Sequence, residues 1–92
     1  MSQSDRIKEE YSNAMFSVNN LFKSYSISEK KEKFKNVAST QFHPLYKEIQ
    51  DLKKEIESDD LEFQIAMQKI RRFKTLSKDL IRKVAIRMIG MR

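Results

Sequence analysis

The chain has 92 residues, 39% of them hydrophobic and 35% charged, with a net charge of +6, no cysteine, one glycine and one proline. A chain of this length makes one domain that buries roughly 60% of its unfolded surface. Without cysteine there is neither a disulfide nor a thiolate metal site. The near absence of glycine and proline argues against a turn-rich β fold and for long helices joined by short polar links.

Residues 1–92 are read as a single all-α domain. The first helix is expected from about Ser4 to Tyr25. Ile7, Tyr11, Ala14, Met15, Val18, Phe22 and Tyr25 recur at steps of three and four, which places them on one helical face. The first twenty residues include Asp5, Arg6, Lys8, Glu9 and Glu10 and contain no apolar core of a signal peptide. Ser26-Ile27-Ser28-Glu29 then reads as a break and a new start. Ser26 and Glu29 have capping-box spacing, with Ser28 as a rival N-cap. A second helix to about Gln41 carries a short apolar face of Phe34, Val37, Ala38 and Phe42.

Pro44 cannot sit in a helix interior without losing a hydrogen bond, and it is welcome in a first turn. Helix two therefore ends near Phe42 and helix three begins at Pro44. Leu45, Ile49, Leu52 and Ile56 form a narrow apolar stripe on that third helix, flanked by charge in the manner of a coiled-coil seam. Ser58-Asp59-Asp60 closes it, and Asp59 with Glu62 has the spacing to cap a fourth helix. From there to Ile89 nothing breaks a helix, so about thirty residues would extend ~45 Å.

The fourth helix carries most of the charge asymmetry. Residues 61–92 hold nine basic and two acidic residues, whereas residues 44–60 hold three basic and six acidic. Ala66, Ile70, Phe73, Leu80, Val84 and Met88 face one way, and Arg71, Lys74, Lys78 and Arg82 nearly the opposite way. A short link makes helices three and four antiparallel neighbours, so Asp51, Glu55 and Glu57 are placed to neutralise part of the stripe. Past Leu80 the pattern changes. Ile81, Ala85, Ile86 and Ile89 place apolar groups off the core face, giving the helix a greasy end that wants more burial than one neighbour supplies. The expected architecture is an antiparallel four-helix bundle with a long C-terminal helix.

Catalysis is not suggested. His43, the single histidine, stands beside Pro44 with no ligand or base partner at a useful spacing. The carboxylate pairs Asp59-Asp60 and Asp51 with Glu55 suit capping and surface pairing, and no third ligand completes a metal set. Gly90 alone cannot make a phosphate-binding loop. No cofactor is expected. Most aromatics lie at core spacing. Phe16, Tyr46 and Phe63 lie off the main stripes and are candidates for exposed contacts or for packing where a third helix approaches.

The basic stripe has three readings. It is a solvated face that keeps a small protein dispersed, a phosphate-backbone contact without base readout, or a contact to a membrane surface or membrane-protein partner. The preferred expectation is a non-enzymatic protein that binds a protein partner through Arg71, Lys74, Lys78, Arg82, Lys83, Ile86, Arg87 and Ile89. Nucleic-acid binding is the alternative, and a homodimer through the C-terminal helix would also cover Ile86 and Ile89.

The opening Asp5-Arg6-Ile7-Lys8, an amphipathic helix ending Leu21-Phe22, two short charged helices and a long last helix together resemble the bacteriocin immunity proteins of Gram-positive bacteria. That resemblance implies a cytoplasmic helical bundle, peripheral to the membrane, that protects its producer by engaging a membrane-embedded receptor complex. The basic, greasy C-terminal region would be its contact surface. Such proteins often carry a less ordered tail after the last helix, whereas this sequence stops inside or just after it.

Overall fold

The computed structural model describes residues 3–58 and 61–90. Four α-helices are present: α1 (Gln3–Ser24), α2 (Lys31–Gln41), α3 (His43–Glu57) and α4 (Phe63–Gly90). A 3₁₀ turn, Ile27–Lys30, precedes α2. No strand occurs among the described residues. The molecule is a flattened helical bundle, 49 × 24 × 17 Å across its Cα atoms, whose long axis matches the 28-residue α4.

Helix α4 is the spine, with α1, α2 and α3 all packed on it. Its inner face, Ala66, Ile70, Phe73, Leu80, Val84 and Met88, is buried as the periodicity requires. Helix α1 runs in the same direction as α4: Arg6 lies near Phe63, Tyr11 near Phe73, and Phe22 packs with Ile81. Helix α3 runs antiparallel to it, with Glu55 at Lys69 and Phe42, just before α3, at Arg87. Short α2 makes the turn between α1 and α3 at the C-terminal end of the spine. Ala38 and Ala66 are fully buried, and their small size lets helix backbones approach closely.

Two junctions show how local chemistry sets this path. Phe42 alone links α2 to α3. Its N–H donates to the Ala38 carbonyl at 3.2 Å and its own carbonyl accepts from Tyr46 N–H at 2.9 Å. Pro44 sits in the first turn of α3, where its missing N–H leaves no helical bond broken. The α3 stripe is then buried at Ile49, Leu52 and Ile56 against α4. At the end of α3, Ser58 turns back on the helix, its hydroxyl donating to the Glu55 carbonyl at 2.7 Å. The expected cap at Asp59 and Asp60 lies outside the described residues. The first bond of α4 runs from Ala66 N–H to the Glu62 carbonyl at 2.8 Å.

The Ser26 junction differs from expectation. Ser26 makes no side-chain cap. It adopts the left-handed conformation, with φ 57° and ψ 26°, and its N–H donates to the Lys23 carbonyl at 2.8 Å. This is a helix-ending turn without the usual glycine. Ser28 falls inside the 3₁₀ turn and α2 begins at Lys31. The consequence is that Ile27 swings inward and is buried against Ile81 and Ala85 in a second apolar cluster with Leu21 and Phe22.

Candidate partner-binding surface

The C-terminal stretch of α4 presents different chemistry on each side. A helix advances about 100° per residue, so the inner residues Leu80, Ile81, Val84, Ala85 and Met88 share one broad arc. Ile27 closes over Ile81 and Ala85, which removes half of the greasy end expected from the sequence. Ile86 and Ile89 remain 71% and 61% exposed. No segment among the described residues covers them.

Polar neighbours surround this pair. Lys83, Ile86, Arg87, Gly90 and Phe42 line one shallow hollow. Ile89, Met88, Tyr25, Glu29 and Lys30 help line a second, and Tyr25 is itself exposed. The Arg87 guanidinium lies over the Phe42 ring, 5.9 Å from its centroid, which holds the cation at the edge of the apolar patch. Lys83 is tethered to Asp79 one turn earlier at 3.0 Å. Exposed apolar side chains bordered by charged groups, mostly cations, are the anatomy of a contact surface, with an apolar centre and a polar rim.

The expected neutralisation of the cations by α3 is partial. Glu55 pairs with Lys69 at 2.6 Å, and Glu48 pairs with Arg72. Asp51 is exposed and makes neither contact, because Glu48 and Glu55 stand seven residues apart on the flank of α3 nearest α4 and Asp51 points further out. Glu57 instead accepts the Tyr11 hydroxyl at 3.0 Å. Burial, with that hydrogen bond and the Glu57 charge adding to it, pushes the Tyr11 hydroxyl from 10.0 up to about 12. Arg71, Lys74, Lys78 and Arg82 lie on the side of α4 away from α3. Among the described residues none of the four forms an ion pair. Arg71, Lys74 and Arg82 are exposed and Lys78 is half-buried. The stripe therefore leads along α4 directly into Ile86 and Ile89.

Of the off-stripe aromatics, Phe16 is 68% exposed. Tyr46 packs against the core, and Phe63 is half-buried under the Arg6 guanidinium at 5.3 Å. His43 is exposed at the start of α3. Among the described residues no three His, Cys, Asp or Glu side chains gather as a metal-binding group. Among the described residues no helix is long and apolar enough to cross a membrane.

One feature is absent from the expected site. Ser77 lies on the inner face of α4, 6% exposed, and its hydroxyl has no hydrogen-bond partner. The signal was present in the sequence, since the apolar stripe steps seven residues from Phe73 to Leu80 and Ser77 fills the place between. Comparison with protein-family models, with curated proteins and with solved structures finds no match to this chain.

Proposed function

We propose that this protein acts by binding a macromolecular partner through the C-terminal half of α4, without catalytic turnover. The observation that carries this reading is the pair Ile86 and Ile89, the most exposed of the large apolar residues described on α4 and flanked by Arg82, Lys83 and Arg87. Large apolar side chains exposed together beside charge favour association, because covering them removes apolar area from water at about 25 cal/mol per Å². The partner is a protein with an apolar contact and acidic groups around it. The most specific form, which rests on the resemblance to bacteriocin immunity proteins, is protection of a producer cell at the cytoplasmic side of a membrane-embedded receptor complex.

Expression in a sensitive strain, challenged with any small secreted peptide encoded beside this gene, tests that form. Protection by the native chain and its loss in the Ile86→Ser/Ile89→Ser variant support the reading. Unchanged sensitivity with the native chain contradicts it.

The unpaired stripe Arg71, Lys74, Lys78 and Arg82 favours a second reading, contact with a nucleic-acid backbone. Such binding falls steeply with salt, because each neutralised phosphate releases counterion. A mobility-shift experiment with no retention at low salt removes this reading.

A further inference from the structure

We propose that the cleft between α1, α2 and α3, above the middle of α4, binds a small amphiphilic acid. Its apolar body of roughly ten carbons would lie on Phe22, Phe34 and Phe73, its carboxylate at Lys31 and Lys53, and a hydrogen-bonding group within reach of Ser77.

The cleft exists because α1 and α3 both pack on α4 and only lightly on each other. It has a volume of about 280 Å³. An apolar cavity of about 150 Å³ takes up benzene, so this one suits a ligand of roughly a dozen non-hydrogen atoms. Four aromatic rings, those of Phe22, Phe34, Tyr46 and Phe73, line it.

Two observations point to the ligand's polar parts. Ser77 lines the cleft, is more than nine-tenths buried, and has an unpartnered hydroxyl. A buried hydroxyl without a partner costs stability that a bound acceptor or donor would restore. The charged lining is also one-sided. Lys31 and Lys53 line the cleft, no acidic side chain does, and neither lysine is in an ion pair among the described residues. An apolar body with a single negative charge satisfies both. The cleft shares no residue with the outer face of α4 assigned to the partner, so the two sites fail or stand separately.

Titration of the ¹⁵N-labelled full chain with 3-hydroxydecanoate, decanoate and decanol, followed by NMR, tests the proposal. The expected result is saturable one-to-one binding of the acids, with shifts at the amides of Phe22, Phe34 and Ser77. Decanol should bind at least about tenfold more weakly, by loss of a charge-assisted contact. The Lys31→Gln/Lys53→Gln variant should weaken the acids toward decanol and leave decanol unchanged. Ser77→Ala should keep decanoate binding and lose the preference for 3-hydroxydecanoate. The Ile86→Ser/Ile89→Ser variant should bind all three as the native chain does. Absence of saturable shifts, equal binding of decanol and the acids, or shifts centred on Ile86 and Ile89 would each overturn it.

Discussion

The two halves of α4 are built from similar residues and meet different fates. Along the first half, Lys69 and Arg72 face α3 and find Glu55 and Glu48 there, while Arg6 shelters Phe63. Along the second half the accompanying acids run out. Lys83 turns to Asp79 of its own helix, Arg87 settles on Phe42, and Ile86 and Ile89 stay bare. The difference follows from length. Helix α3 has 15 residues against 28 in α4, and the short α2 brings three lysines, Lys31, Lys33 and Lys35, against one carboxylate, Glu32, on its first turns. A spine longer than its acidic neighbour leaves an open end.

If the halves differ only on the outside, their inner faces must be equally firm. Phe73→Ala in the first half should cost about 3–5 kcal/mol, and Val84→Ala in the second about 2 kcal/mol, measured by urea denaturation. A cost near zero at Val84 would mean that the second half is loose throughout, and its exposed residues would lose their meaning. The turn that delivers Ile27 to the second half is strained by a left-handed serine. Ser26→Gly should therefore raise stability by about 1 kcal/mol, and an unchanged midpoint would separate that turn from the packing of Ile27.

Tyr11 sharpens the first half. Its hydroxyl is held neutral up to about 12 in the folded chain against 10.0 when free. The associated stability is full below pH 10 and is lost as pH rises from 10 to 12. Tyr11→Phe should lose less stability than the native chain across that window. Parallel curves would mean that the Tyr11 hydroxyl titrates alike in the folded and unfolded chain. Glu48→Gln and Glu55→Gln should each cost only about 0.5 kcal/mol, since both pairs are exposed. Smallest of all, Ile86→Ser/Ile89→Ser should move the unfolding free energy by less than about 0.5 kcal/mol. A larger loss would show that these isoleucines support the fold.

Much of this was legible in the chain. The four helices, the break at Pro44 and the inner stripe of α4 follow from periodicity and proline chemistry, which act locally. The antiparallel pairing of α3 and α4 follows from their short link. What could not be read depended on where distant segments land. Ile81 and Ala85 look surplus to one bundle until Ser26 takes a left-handed turn and lays Ile27 on them, and that turn carried serine where glycine would have announced it. Asp51 and Glu48 are equally acidic in sequence, and only the rotation of α3 about its axis chooses Glu48. The cleft around Ser77 arises from a gap between α1 and α3, which no stretch of either helix encodes by itself. Lys83, Ile86, Arg87 and Ile89 lie close together at the end of α4, whereas Arg71, Lys74, Lys78 and Arg82 form the approach to that patch along the same helix.

Site-specific photo-crosslinking in cells that express the protein tests the central claim most directly, because it compares the two halves of one helix. A photoreactive residue at Ile86, in the open second half, should yield a discrete adduct, whereas one at Ile65, exposed near the start of α4, should not. Equal adducts from both positions, or none from Ile86, would contradict the assignment of the open end of α4 as the binding surface.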